Sequence, residues 1–271
     1  MRKKTKKIID LSLPIDDTLK ETHSATIERI SHKQGIEHLN WVIMSKQPGG
    51  EELFKKGQRL IGELDVPDAE LLSLEIVNSS VHMGTHVDAP FHYGSRCQGK
   101  PSKYINDLPL EWCYNDAIVL DFRHKKFPEV IKKEDIIKML KKIKYKLKPL
   151  NIVLLNTGAD KLVGTPEYVT KYVGVAPEAI EYILDYGVKM IGIDTLGLDR
   201  PCSIMFEEFL KTKDKSVLWP SHFLGRRREF AHMERLANLD KIPKPFGFKV
   251  CCFPVKIRNA GAAWARVVAM V

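Results

Sequence analysis

Apolar, β-branched runs alternate with polar stretches along the chain, and their period changes from region to region. Runs near Lys7 to Leu11, Leu74 to Val81, Ala117 to Phe122, Ile152 to Leu155, Val188 to Ile193, Phe248 to Val255 and Ala265 to Val271 predict strands. From Lys132 to Leu147 the period lengthens. Ile136, Ile137, Leu140, Ile143 and Leu147 recur at helical spacing with lysines between them, which predicts an amphipathic helix. Further helices are predicted over Ala176 to Tyr186 and about Arg228 to Leu239. Strands alternating with helices and ending in two sheet-like runs indicate an α/β class with a mixed β-sheet. At 271 residues the expectation is a single domain, 1–271. Thr18 to Asp65 fits this pattern least. Its "SKQPGGEELFKKG" reads as a loop followed by a polar helical turn, an ordinary surface insertion in preference to a lid or an oligomer arm.

Composition narrows the class. With 44% hydrophobic and 28% charged residues, the chain has the balance of a soluble globular protein. No stretch approaches the roughly 18 apolar residues of a membrane span. The basic start "MRKKTKKIIDLSLPIDD" is interrupted by Asp10, Ser12 and Pro14, too early for a secretory signal, so a cytoplasmic location is expected. Five cysteines (Cys97, Cys113, Cys202, Cys251, Cys252) lack C-x-x-C spacing and read as reduced, mostly buried thiols. The net charge of +9 is concentrated in the first seven residues, in Lys132 to Lys148 and in Arg226 to Arg228. Without interleaved aromatics these lysines read as the solvated face of a helix, and neither nucleic acid nor membrane is an expected partner.

The chemistry is concentrated in residues 82 to 92, "HMGTHVDAPFH", with three histidines and an aspartate. On a straight strand His82 and His86 would stand roughly 13 Å apart, too far to share an ion. In a helix Met83 would occupy the place of the catalytic glutamate of the zinc proteases, and Gly84, Thr85, Val87 and Pro90 disfavour that helix. A strand that bends sharply at Gly84 remains, with His86 and Asp88 on one face, roughly 6 to 7 Å apart along the backbone. A lone histidine is more often a hydrogen-bonded structural residue, and "VDAPFHYG" alone would pass for a turn. Three histidines and an aspartate this close together weaken that reading.

"HMGTHVDAPFH" resembles the His-x-Gly-Thr-His-x-Asp-x-Pro-x-His signature of the metal-dependent cyclase family, which includes bacterial kynurenine formamidase (arylformamidase). "IIDLSLPI", "LLNTGAD", "YGVKMIGIDTLGLD", "HMERLANLD" and "FGFKVCCFPVKI" are similar to the same family, so the likeness spans nearly the whole chain except Thr18 to Asp65. The resemblance implies an α/β fold of the swivelling β/β/α type and a site for two divalent ions. In that scheme His82, His86 and Asp88 hold the first ion and Asp88 bridges to a second. His222 and, twelve residues later, Glu234 complete the second, and His92 is the general acid/base. His232 competes for these roles but does not fit the family's spacing. A homo-oligomer, dimer or tetramer, is also implied. Two stretches depart from the family: "NTGAD" stands where Arg-Thr-Gly and an aromatic are usual, and "GAAWAR" where Gly-Ser-Pro precedes a late arginine.

Histidine and carboxylate donors without thiolates suit zinc or manganese. An ion with an open position lowers the pKa of water toward neutrality, and a neighbouring histidine can protonate a departing amine. The expectation is a metal-dependent amidohydrolase acting on the amide or formamide of a small aromatic molecule, N-formylkynurenine first, as in tryptophan catabolism. Opening of a cyclic amide such as isatin is the alternative, followed by a cyclase or dehydratase reaction. From another class, the alternative is a non-catalytic metal-binding module. No G-x-S-x-G or G-x-G-x-x-G stretch competes for the chemistry.

Overall fold

The strands predicted from the most apolar runs, Ile152–Asn156 and Met190–Ile193, are the buried centre of a nine-stranded mixed sheet. The computed structural model describes residues 7–19 and 24–271. Most of the basic start, 1–6, and residues 20–23 lie outside the described residues. The strands are β1 Ile8–Asp10, β2 His86–Asp88, β3 Tyr114–Asp121, β4 Ile152–Asn156, β5 Met190–Ile193, β6 Ala231–Glu234, β7 Phe246–Cys251, β8 Ala262–Trp264 and β9 Val268–Met270. Their order in space is β1-β9-β7-β3-β4-β5-β6-β2-β8. From β3 to β6 the pairs are parallel, and on either flank they are antiparallel. Parallel strands covered on both faces read as continuous apolar runs, which is why they were legible in the sequence.

Helices in the same unit as this sheet include α1 Pro90–Tyr93, α2 Lys133–Lys142, α3 Pro177–Leu184, α4 Cys202–Thr212 and α5 Pro220–Leu224. Ile136, Met139 and Leu140 of α2 and Ala179, Ile180, Ile183 and Leu184 of α3 are buried. They share one core with Ile118, Leu120, Val153, Leu155, Ile191 and Ile193 of the sheet. The other face is covered by a second core that includes Val87, Leu154, Met190, Met233 and Ala263. The centre is tight: a Cβ on Gly192 would lie 2.7 Å from Leu236 and 2.8 Å from Leu154. α2 stops five residues short of the predicted Leu147, because Lys144 takes a left-handed conformation (φ 54°). Among the described residues no helix is long and apolar enough to cross a membrane. The cysteines are free, with Cys97, Cys113 and Cys252 buried and Cys202 exposed.

The helix expected over about Arg228 to Leu239 is not formed; β6 occupies its centre. Ala231, His232, Met233 and Glu234 are all buried and alternate between the two faces of the sheet, a period of two that the isolated sequence disguises with polar residues. Beyond the strand, Arg235 (φ 56°) and Asn238 (φ 58°) are left-handed and incompatible with a helix. The final predicted run, Ala265 to Val271, holds β9, which lies between β1 and β7; β8 precedes the run and pairs with β2.

By density of internal contacts the chain divides into two compact units, residues 24–80 and the rest. Within 24–80, strands Thr26–Ile30 and Leu74–Asn78 form an antiparallel ribbon. Helix His32–Met44 begins at a capping box of Ser31 and Gln34. The buried Asn40 side chain donates to the carbonyls of Ile36 and Ile61 and accepts from the Leu60 and Ile61 amides. A short helix, Gly50–Lys55, stands where a polar helical turn was expected.

Candidate metal centre

The bend anticipated at Gly84 is present. Its φ is +64°, and a Cβ there would meet the Pro14 carbonyl oxygen at 3.0 Å, so glycine serves both the turn and the close approach. The turned carbonyl of Gly84 accepts from His86 Nδ1 at 2.9 Å. Thr85 secures the bend: its hydroxyl accepts from the Leu13 amide at 2.7 Å and donates to the Arg235 carbonyl.

Strand register then assembles the site. On β2, His86 and Asp88 point to one face; on β6, Glu234 lies opposite His86 and His232 opposite Asp88. Residues directly opposed on neighbouring strands share a face, so four ligand-type side chains meet on one side of a two-strand ladder. Pro90 starts α1 and turns His92 back over Asp88, at 3.7 Å from Nε2 to Oδ2. α5 brings His222, whose Nε2 lies 3.4 Å from Glu234 Oε1.

Asp88 is the hub. It is fully buried, and neither carboxylate oxygen has a hydrogen-bond partner. Around it stand nitrogens of His82 (3.2 Å), His86 (3.5 Å), His232 (3.6 Å), His92 (3.7 Å) and His222 (4.0 Å). Two sets of ligand atoms lie within 4.8 Å of one another and share Asp88: His82, Asp88 and His92, and Asp88, His222, His232 and Glu234. His86 Nε2 lies 3.5 Å from both Asp88 and Glu234.

The outer nitrogens are held by acceptors. Asp199 accepts from His222 Nδ1 at 2.6 Å and from the Ser221 and His222 amides at 2.7 and 3.0 Å. We assign the Tyr93 hydroxyl as acceptor from His232 Nδ1 (2.7 Å) and donor to the Asp88 carbonyl (3.3 Å). In His86, His222 and His232 the Nδ1 proton is thereby fixed, and the Nε2 lone pair faces the carboxylates. Lone pairs of nitrogen and oxygen at 2.7 to 3.6 Å repel unless a proton or a cation lies between them.

The electrostatics agree. Burial would raise the pKa of Asp88, but the charges of His92 and His86 outweigh it and hold the carboxyl below its usual range. Burial would likewise raise Glu234, yet hydrogen bonds from His222, His232 and His86 keep it well below. His222 is opposed by burial and still raised well above its ordinary value by Asp199 and Glu234. His92 is lowered, by burial first and then by His82 and His222. Two ionised, buried carboxylates therefore demand positive charge from their surroundings, which a divalent ion taking the place of the imidazole protons would supply. The donor set fits a metal.

All six residues expected at the site are brought together: His82, His86, Asp88, His92, His222 and Glu234. His232, placed behind them on spacing, stands within the same cluster, and its Nε2 is 2.7 Å from Glu234. Asp199 and Tyr93 were not anticipated; the one available signal was the quoted "IDTLGLD", which ends at Asp199. A cavity of about 280 Å³ adjoins the cluster, and its lining includes His82, His92, His222 and Glu234 together with Tyr172, Leu196, Cys202 and Trp219. "NTGAD" contributes no lining residue, since Thr157 and Gly158 bind the buried Asp194 carboxylate instead. "GAAWAR" supplies β8, where Trp264 lies opposite His86.

The "Putative cyclase" family model matches residues 9–200, which include the 82–92 motif and Asp199 but not His222, His232 or Glu234. Kynurenine formamidase of Paracidovorax citrulli (strain AAC00-1) is 29% identical over 189 residues, covering 70% of this chain and 76% of the relative. That of Delftia acidovorans (strain DSM 14801 / SPH-1) is 25% identical over 197 residues, covering 73% and 79%. An isatin hydrolase bound to the product analogue thioisatinate superposes with a TM-score of 0.72 at 19% identity, over 98% of this chain and 92% of the other.

Proposed function

This chain belongs to the cyclase family, and from that premise we propose that it is a metal-dependent hydrolase of the amide or formamide bond of a small aromatic substrate. The observation that carries the reading is Asp88, buried with both oxygens unpartnered among five histidine nitrogens. His82, His86, Asp88, His222, His232 and Glu234 would hold two divalent ions, zinc or manganese, with Asp88 shared between them. Bound there, such ions would polarise a carbonyl and lower the pKa of water toward neutrality.

The chain's own residues supply the rest. His92 sits at the cavity wall with about a third of its side chain exposed. Its lowered pKa keeps the imidazole neutral near pH 7, able to accept a proton and then deliver it to the departing amine. Asp199 and Tyr93 hold His222 and His232 in one orientation. Tyr172, Leu196 and Trp219 offer apolar surface suited to a planar ring and to exclusion of bulk water.

N-formylkynurenine is the first substrate to try, supported by the two relatives named kynurenine formamidase. The small cavity also suits a compact cyclic amide such as isatin, which the same chemistry would open. Metal-stripped protein reloaded with zinc or manganese, assayed by absorbance on both compounds, tests the reading. Metal-dependent turnover of either supports it and selects between them. Protein shown to hold metal that turns over neither would refute the substrate class.

A further inference from the structure

Arg200 lines the cavity beside the metal cluster, in a place that serves neither the ligands nor the helix that follows. It precedes Pro201, the N-cap of the eleven-residue α4, where the positive end of the helix dipole disfavours a cation. Its Nη2 lies 2.5 Å from Oε2 of Glu208, two turns along that helix. Both side chains are partly exposed, 28% and 39%, so the pair contributes about 1 kcal/mol or less. Nε and Nη1 of the guanidinium make no hydrogen bond among the described residues.

The backbone beneath this charge is fixed from three sides. The preceding Asp199 carboxylate accepts from the Ser221 and His222 amides and from His222 Nδ1. Gly174 packs so closely that a Cβ there would lie 2.7 Å from the Arg200 nitrogen. Pro201 restricts the backbone of the residue before it. Arg200 is therefore a cation anchored one residue from the group that orients His222, at the wall of a cavity whose other surface is apolar at Tyr172, Leu196 and Trp219.

Two divalent ions would bring four positive charges against the three negative ones of Asp88, Glu234 and Asp199, so the site is positive before Arg200 is counted. A neutral amide gains nothing from a further cation there. A substrate with its own carboxylate gains a charge-assisted hydrogen bond, or two if it meets the planar fork side-on. We propose that Arg200 binds a carboxylate carried by the substrate, and that the site acts on aromatic amides bearing that group in preference to neutral ones. This takes the hydrolase reading above as its premise and adds the charge of the substrate to it. N-formylkynurenine, which carries a carboxylate, is favoured over neutral isatin.

Metal-loaded protein is assayed on formanilide and on its 2-, 3- and 4-carboxyl derivatives, which share the ring and the formamide and differ by one carboxylate. At least one derivative should exceed formanilide by about 10- to 100-fold in kcat/KM, mainly through KM. In Arg200→Gln that ratio should fall to near one, and Arg200→Lys, a charge without the fork, should keep part of it. Binding is read separately, by calorimetry of the three aminobenzoates against aniline. At least one aminobenzoate should bind more tightly than aniline, and Arg200→Gln, at equal metal content by elemental analysis, should weaken it by about 10- to 100-fold. Turnover of formanilide with no preference for any carboxyl derivative overturns the proposal and leaves the hydrolase reading standing. An aminobenzoate affinity unchanged in Arg200→Gln, the anion being held by the ions alone, also overturns it. Arg200-dependent binding in protein that hydrolyses none of the four compounds supports the carboxylate subsite and counts against the hydrolase reading instead.

Discussion

Asp199→Asn removes one negative charge from behind His222 while keeping the shape of the side chain. In the native site one carboxylate oxygen accepts from the Ser221 amide at 2.7 Å, and the other from the His222 amide and ring at 3.0 and 2.6 Å. An asparagine has one acceptor oxygen, so whichever way its amide turns, an N–H donor faces another donor. If the ring contact is lost, His222 is free to rotate or to change tautomer. If it is kept, a charge-assisted bond has become a neutral one of roughly half the strength. Loss of such an outer partner costs about 10- to 100-fold in metal affinity or activity, equivalent to about 1.4 to 2.7 kcal/mol. The assay is a competitive chelator titration with zinc and with manganese, followed by turnover as a function of free metal. Affinity should fall by that factor for the ion held by His222, and rate should recover at saturating metal. Unchanged affinity, or a lost rate that no metal concentration restores, would refute the orienting role of Asp199.

Three further outcomes follow from the same geometry. His92→Gln should lower kcat by about 10² to 10⁴ and leave metal content intact; loss of metal, measured by elemental analysis, would make His92 a ligand instead. Gly84→Ala should destabilise the protein by about 1 to 2 kcal/mol for the left-handed backbone alone, with crowding against Pro14 added, visible as a lower unfolding temperature and reduced metal loading. Asp194 is raised by burial from the ordinary 3.8 to about 6 despite hydrogen bonds from the Thr157 amide and hydroxyl and from the Gly158 amide. A folded-state pKa above the unfolded value gives stability that is present below pH 3.8 and lost as pH rises through about 6, on the order of 3 kcal/mol. In metal-stripped protein, urea unfolding at pH 4 and pH 7 should show this contribution as a difference between parent and Asp194→Asn, and equal pH dependence in the two would rule it out.

The sequence by itself determined the local features with short-range causes. The two central strands, Ile152–Asn156 and Met190–Ile193, are uninterrupted apolar runs because both of their faces are buried. Of the apolar stripe read for α2, Ile136 and Leu140 are buried and Ile137 is half-buried, with Met139 buried beside them. The turn at Gly84 and the cluster residues His82, His86, Asp88 and His92 lie within eleven residues, so spacing argued against a straight strand and the residue types against a helix. His222 and Glu234 were legible only through resemblance, because nothing near either residue demands a metal. Only the tertiary structure decided the rest. β6 resembled a helix because two of its four residues are polar; they are tolerated in a buried strand because the register with β2 sets them opposite Asp88 and His86. His232 joins the cluster for the same reason, and Asp199 reaches His222 across 23 residues of chain. Cross-strand register and the docking of α5 are long-range pairings. Their free energy comes from segments distant in sequence, so no local pattern encodes them.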